Sequence, residues 1–288
     1  MKISDRLPQA PGRFDIIAST GRTATTFLAA ALDQMQGVAA THEGYRGSDK
    51  DTEPLLPLVN LQNAAAYASE AAARQTVADL RNDQNLAEAL QRSQAERLID
   101  VAYYNAMIGA EILAQHPTAR MIGIIRDCES FVCSATAMEG EDPLPVGWPD
   151  PDKPLTDREK FIAMGRIRPG RKSPLKAEWA GWSAIRRNIW LWRETNLRLC
   201  AAQQAHGARV VLLRFSTFQK TPEAFWDLCA DFLQLPYTAG SPLQAPKKMV
   251  NKKPLGYQIG AAPTWTSDEQ AALDAAQTLI EKTAHYAL

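Results

Sequence analysis

The residues best suited to chemistry in this chain lie between Ser19 and Thr26. A run of apolar and β-branched residues (14–18) gives way to small and hydroxylated residues, and a helical pattern begins at Thr25. A strand, a tight loop and a helix N-terminus in this order point backbone N–H groups and the positive end of the helix dipole at one place. Arg22 adds a fixed positive charge, and the two threonines add hydroxyl donors. The stretch therefore predicts a binding site for a phosphate or a sulfate.

This loop differs from the phosphate loop of nucleotide kinases and ATPases. That loop reads G-x-x-x-x-G-K-(S/T), in which Lys contacts the terminal phosphates and the hydroxyl binds magnesium. No segment of the chain has this pattern; here the cation is Arg22, and Thr-Ala-Thr-Thr follows it. The difference counts against ATP chemistry.

A second candidate anion site follows the apolar run Met121 to Ile125. A continuous apolar run of this length is typical of a central parallel strand that is buried on both faces. Arg126 follows the run directly, and Ser134 stands eight residues further on. The planar guanidinium of Arg offers two N–H donors to phosphate oxygens. We expect Ser134 about two turns into the next helix, where it shares one phosphate with Arg126.

Together these two segments resemble the phosphate motifs of the sulfotransferases, which use a P-loop fold. The family's first motif usually reads (K/R)-(S/T)-G-(S/T)-(S/T) after a strand, and the segment 22–26 matches it except at Ala24, where the family has Gly. If this position needs a positive φ, Ala costs roughly 1 kcal/mol relative to Gly. The second motif is a strand, R-D-P and a helix with Ser, which Arg126 and Ser134 match, with Cys128 in place of Pro.

The resemblance extends from about residue 14 to residue 257. The segment 210–215 followed by the helical pattern 222–236 is similar to the family's later strand and helix. The segment 250–257 looks like the C-terminal loop that closes over the phosphate end of the cofactor. The family's K-x-P after the third strand is missing, so Asp100 and the adjacent tyrosines are candidates for shaping the acceptor pocket, although both tyrosines also suit the core.

The resemblance implies a transferase that moves a sulfuryl group from 3′-phosphoadenosine 5′-phosphosulfate (PAPS) to a hydroxyl or amine and releases PAP. The acceptor would be a small molecule, a lipid or a carbohydrate-like compound. Arg22 would stabilise the leaving phosphate, and Glu43 at the end of the strand 38–42 would be the general base, with His42 as the alternative. No metal is expected. The implied cofactor-binding residues are Thr20, Gly21, Arg22, Thr23, Ala24, Thr25, Thr26, Arg126, Ser134, Asn251, Lys252 and Lys253. The alternative is a P-loop nucleotide-binding or kinase-like protein without sulfuryl transfer.

Composition limits the functional classes. The chain has 32 Lys and Arg against 32 Asp and Glu, so no general attraction to nucleic acid or to an anionic membrane follows. Its four cysteines form no C-x-x-C pair, and buried thiols are the expected state. Without an apolar signal region or an apolar run of spanning length, the chain is expected to be cytoplasmic.

The elements that must position these residues alternate between strand and helix. Strands are predicted at 14–18, 38–42, 98–102, 121–125 and 209–215, and helices at 25–36, 104–115, 130–138, 178–205, 222–233 and 267–284. This alternation predicts a three-layer α/β/α fold with a central parallel sheet. One domain over 1–288 is expected, with a helical insertion at about 50–97. The proline-rich segment at about 139–177 is either an irregular lid or a solvated excursion.

Overall fold

A computed structural model of the chain describes residues 13–139, 147–150, 153–170, 172–237 and 264–287. Its strands are β1 (Arg13–Ser19), β2 (Val38–His42), β3 (Tyr45–Arg46), β4 (Arg97–Ala102), β5 (Met121–Ile125) and β6 (Val210–Arg214). They form one sheet in the order β3-β2-β4-β1-β5-β6. All neighbouring pairs are parallel except β2 and β3. The predicted parallel sheet is therefore confirmed, with one antiparallel edge strand that the sequence did not predict.

Helices cover both faces of this sheet. They are α1 (Thr25–Leu32), α2 (Asn63–Ala68), α3 (Glu70–Leu80), α4 (Asp83–Ser93), α5 (Asn105–Gln115), α6 (Cys128–Glu139), α7 (Asp157–Gly165), α8 (Lys176–Trp179), α9 (Ala184–His206), α10 (Phe215–Lys220), α11 (Pro222–Leu233) and α12 (Ser267–Thr283). The predicted long helix begins later than expected. Ser183 caps α9 by accepting a hydrogen bond from the backbone N–H of Arg186, so that α8 is a separate turn.

Alternate residues of each strand belong to different cores, as the twofold period of a strand requires. Ile16 and Met121 belong to the core that contains α5, α9 and α12, whereas Ile17 and Ile122 belong to the core that contains α1 and α11. Two cores separated by one sheet confirm the three-layer α/β/α architecture. Within the described residues, no helix is long and apolar enough to cross a membrane.

The two segments that interrupt the strand–helix alternation contain helices that pack together. Residues 50–97 contain α2, α3 and α4, while α7 lies within 139–177 and α8 begins at the end of that segment. The side-chain amide of Asn60 donates to the Phe161 carbonyl over 3.1 Å, and that of Asn63 donates to the Gly165 carbonyl over 2.8 Å. The described part of the second segment is thus joined to the first by side-chain hydrogen bonds.

Candidate functional site

The loop between β1 and α1 has the backbone shape of an anion cradle. Gly21, Arg22 and Ala24 have φ angles of 82°, 59° and 57°. Ala24 is the N-cap of α1 in the left-handed region, so the position where the resembled motif has Gly does require a positive φ. The Ser19 hydroxyl holds the loop by accepting hydrogen bonds from the Gly21 N–H (3.0 Å) and the Thr23 hydroxyl (2.7 Å). Strained residues held in this way are typical of ligand-binding loops.

Both candidate anion-binding segments meet at the carboxyl ends of β1 and β5. Arg22 Nε donates to the hydroxyl of Ser134, which is buried, over 2.9 Å. Arg126 Nη1 donates to the backbone carbonyl of Arg22 over 2.7 Å. From the sequence, Ser134 was expected to share one phosphate with Arg126. In the structure, Arg22 is hydrogen-bonded to both residues, through its side chain to Ser134 and through its backbone carbonyl to Arg126. Two guanidinium groups and a hydroxyl are thereby brought together at the edge of a parallel sheet where ligands commonly bind.

Arg126 is held in place from three sides. Its Nε donates to the Ser130 hydroxyl over 2.7 Å, and its backbone carbonyl accepts a hydrogen bond from Trp192 Nε1 over 2.8 Å. The guanidinium carbon lies 5.5 Å from the centre of the Phe215 ring. These contacts come from α6, α9 and α10, so the orientation of Arg126 depends on elements far apart in the sequence. None of these supporting residues was predicted.

His42, the last residue of β2, contacts the first turn of α1. Its Nε2 lies 3.2 Å from the Thr25 hydroxyl and 3.4 Å from the Thr26 hydroxyl, while its Nδ1 is buried and has no hydrogen-bond partner among the described residues. The residue is only 8% exposed. Burial lowers the pKa of His42, the charge of Lys50 lowers it further, and the carboxylates of Glu43 and Asp100 oppose the shift. The imidazole is therefore neutral near pH 7.

Glu43 lies in the tight turn that joins β2 to β3. It has a φ of 53°, and Gly44 has a φ of 88°. Two successive left-handed residues are what a two-residue type I′ hairpin requires, which explains why a short antiparallel strand follows β2. The Glu43 carboxylate, a quarter exposed, forms a 3.1 Å ion pair with Lys50.

A buried ion pair lies beneath this turn. Arg81 Nη2 lies 2.9 Å from Asp100 Oδ2, and both side chains are fully buried. Asp100 also accepts a hydrogen bond from the Thr41 hydroxyl (2.9 Å), and the Tyr104 hydroxyl contacts both Arg81 (3.2 Å) and Asp100 (3.3 Å). Tyr104 is thus a core residue, and Asp100 supports the end of β2 from inside, so its carboxylate does not line an acceptor pocket. Asp100 interrupts the apolar pattern of β4, and this charge was the sequence signal for the network. Arg81, the ion-pair partner of Asp100, was not predicted from the sequence.

Tyr103 is the aromatic residue that lies beside the loop. A Cβ added to Gly21 would lie 3.9 Å from the Cβ of Tyr103, so the two residues are neighbours. Burial raises the pKa of the Tyr103 hydroxyl, the Glu43 carboxylate raises it further, and the Arg166 guanidinium opposes the shift. Arg166 itself stacks on Trp148 at 3.7 Å. The charges of Glu43 and Arg166 therefore act on the Tyr103 hydroxyl from opposite directions in pKa.

The remaining candidate residues come from the segment 250–257. Asn251, Lys252 and Lys253 lie outside the described residues. A surface pocket of about 490 Å³ lies between Asp33 and Arg92, and none of the predicted site residues lines it. Among the residues that the structure describes, no group of three or more His, Cys, Asp or Glu side chains is placed to hold a metal ion.

The fold is shared with a known enzyme. The chain superimposes on the crystal structure of a sulfotransferase from Alicyclobacillus acidocaldarius with a TM-score of 0.51 and 14% sequence identity, covering 98% of each chain. A sulfotransferase domain from the curacin biosynthetic pathway is a more distant match, with a TM-score of 0.44 and 16% identity over 80% of this chain and 76% of that one. No protein-family model matches the chain, and no curated protein matches it. At 14% identity, the likeness shows that the chain has the fold of that sulfotransferase.

Proposed function

We propose that the protein is a sulfotransferase that uses PAPS as its sulfuryl donor. The observation that carries the proposal is the meeting of Arg22, Arg126 and Ser134 at the loop between β1 and α1. These residues match the two phosphate motifs of sulfotransferases, and they meet in a chain that has a sulfotransferase fold.

The residues at the loop suit a donor with two anionic ends. PAPS carries a 3′-phosphate and a 5′-phosphosulfate, and the site offers two guanidinium groups, the hydroxyls of α1 and a loop in a left-handed conformation. Arg126 and Ser134 would hold the 3′-phosphate through charge-assisted hydrogen bonds. The loop 20–26 would hold the phosphosulfate with backbone N–H groups at the start of α1. Asn251, Lys252 and Lys253 are proposed to bind at the phosphate end as well.

Sulfuryl transfer depends mainly on position and charge. The acceptor oxygen or nitrogen attacks sulfur in line with the bond that breaks, and negative charge grows on the leaving phosphate oxygen. A fixed guanidinium at that oxygen stabilises the transition state more than the ground state, which is the part we assign to Arg22. Arg22 is already held by its hydrogen bond to Ser134, and its backbone carbonyl is held by Arg126. This suits the role because a preorganised donor needs little rearrangement during the reaction.

A general base takes the proton of the acceptor. Glu43 and His42 are the two candidates, since both stand at the end of β2 beside the cradle. The Glu43 carboxylate is a quarter exposed, so an acceptor would reach it from solvent. The acceptor is proposed to be a small molecule, a lipid or a carbohydrate-like compound with a hydroxyl or amine.

Thermal unfolding with PAP, ADP and AMP tests the proposal. PAP differs from ADP in having its second phosphate on the 3′ oxygen, so a 3′-phosphate site stabilises the folded chain with PAP far more than with ADP. We expect Arg126→Ala to weaken PAP binding by about tenfold or more, since a partly buried charge-assisted contact to phosphate is lost, and to change AMP binding little. Arg74→Ala is the control, because Arg74 is exposed in a surface ion pair with Glu111.

Two results would contradict this proposal. Stabilisation by ADP but not by PAP would favour a kinase-like nucleotide-binding protein. An equal loss of PAP and AMP binding in Arg126→Ala would remove the 3′-phosphate role of Arg126.

A further inference from the structure

We infer that His42 is a positioning residue for the anion cradle and that Glu43 alone is the general base. In this arrangement Nε2 of His42 carries the ring proton and donates a hydrogen bond to the Thr25 hydroxyl oxygen. The Thr25 hydroxyl proton is then directed to the bound anion. The inference rests on the proposed function, because it concerns the cradle filled by an anionic group of the donor.

The Thr25 hydroxyl has too few protons to donate to both His42 and a bound anion. The Thr25 hydroxyl has one proton, and it lies 3.2 Å from His42 Nε2. A sulfate or phosphate oxygen only accepts hydrogen bonds, so a hydroxyl that binds it must donate its one proton to that oxygen in a hydrogen bond. The contact with His42 can then persist only if Nε2 is the donor. Binding of an anion therefore selects the tautomer in which Nε2 is protonated.

The surroundings of Nδ1 favour the same tautomer. This nitrogen is buried and has no hydrogen-bond partner among the described residues. A proton on Nδ1, in either the other tautomer or the imidazolium, would be a buried unpaired donor next to the charges that face the ring: Glu43, Lys50 and Asp100. With the proton on Nε2, one ring nitrogen donates to Thr25, and the other presents only a lone pair.

The same geometry removes His42 from the role of base. A base must reach the acceptor's proton through an unprotonated nitrogen. Nε2 is protonated and lies against the first turn of α1, and Nδ1 is sealed from solvent. Glu43, in contrast, follows His42 directly in the turn after β2, and its carboxylate is a quarter exposed and pairs with Lys50 over 3.1 Å.

Three substitutions separate the two roles of His42. Gln, Asn and Leu all lack a basic nitrogen, but only Gln can place an amide N–H where Nε2 lies. We expect His42→Gln to keep kcat and the Kd for PAP within about threefold of the unsubstituted chain. His42→Asn and His42→Leu should weaken PAP binding by about three- to tenfold, the size of one neutral hydrogen bond. Glu43→Gln should lower kcat by about a hundredfold or more and leave the Kd for PAP unchanged.

The opposite pattern would overturn the inference. If His42 is the base, His42→Gln loses about a hundredfold in kcat, as does His42→Leu, and PAP binding is unchanged in both. Should His42→Leu fail to fold, the comparison of Gln with Asn carries the same information. If the unsubstituted chain does not bind PAP at all, the proposed function fails instead, and the two failures are distinguishable.

A spectroscopic measurement tests the tautomer itself. Nitrogen-15 NMR of the labelled chain saturated with PAP reports which ring nitrogen of each of the four histidines is protonated. The His42 signals are those missing from His42→Gln. Protonated Nε2 and unprotonated Nδ1 are expected, and protonated Nδ1 in the PAP complex would overturn the inference.

Discussion

Removing one partner of the buried Arg81–Asp100 pair should destabilise the whole fold. Asp100 accepts hydrogen bonds from Arg81, Thr41 and Tyr104, and Arg81 also donates to the Pro57 and Leu80 carbonyls over 2.8 Å each. In Arg81→Met the Asp100 carboxylate stays buried without its countercharge. Loss of one member of such a pair costs about 3–5 kcal/mol.

This free energy corresponds to a measurable change in melting temperature. The entropy of unfolding is about 2 cal/mol/K per residue, or roughly 0.6 kcal/mol/K for a chain of this length. We therefore expect Arg81→Met to lower Tm by about 5–8 °C, and Asp100→Leu to do the same. The double variant should cost clearly less than the sum of the two, because no charge is then left buried alone.

Differential scanning calorimetry of the four chains measures this cycle. Arg46→Ala is the matched control, since Arg46 forms an Arg–Asp pair with Asp33 over a similar distance (3.0 Å) but is 43% exposed. An exposed pair contributes about 1 kcal/mol or less, so this variant should lose about 2 °C at most. A loss in Arg81→Met no larger than that of Arg46→Ala, or single effects that simply add, would refute the reasoning.

Two further predictions concern His42 and Arg22. Burial lowers the pKa of His42 in the folded chain, so the unfolded chain takes up a proton at a higher pH than the folded chain does. The free energy of unfolding therefore keeps its full value above about pH 6.5 and decreases as the pH falls below that. The Tm of the unsubstituted chain should therefore fall relative to that of His42→Gln between pH 7 and pH 5, and a difference independent of pH would contradict this. Arg22→Ala should lower turnover with PAPS by about a hundredfold. Its Tm should fall by only about 2 °C, because one hydrogen bond to Ser134 is lost while Ala accepts the φ of 59° no worse than Arg does. Unchanged turnover would remove Arg22 from catalysis.

The parallel strands could be predicted because their pattern is local. β5 and β6 contain continuous apolar runs, and the apolar runs of β1 and β4 are each interrupted by one aspartate, Asp15 or Asp100. Such runs are typical of strands that are buried on both faces. The edge strand β3 could not be read in this way. It has only two residues, Tyr45 and Arg46, and it exists because the Glu43–Gly44 turn reverses the chain.

The candidate site was predictable where a loop or strand end carried its own motif. Arg22, Arg126 and Ser134 were selected from local sequence, and the structure brings them together. The supporting residues were not predictable, since Trp192 and Arg81 reach their partners Arg126 and Asp100 from other elements. Such contacts depend on how helices pack across the sheet, and a single sequence contains no local signal for them.

A transfer assay measures directly whether this chain moves a sulfuryl group from PAPS, as we propose. The unsubstituted chain is incubated with sulfur-labelled PAPS and a panel of hydroxyl and amine acceptors, including phenols, sugars and lipids. We expect a labelled product that depends on one class of acceptor, together with release of PAP. A chain that binds ADP but neither binds PAP nor transfers label to any acceptor would not be a PAPS-dependent sulfotransferase.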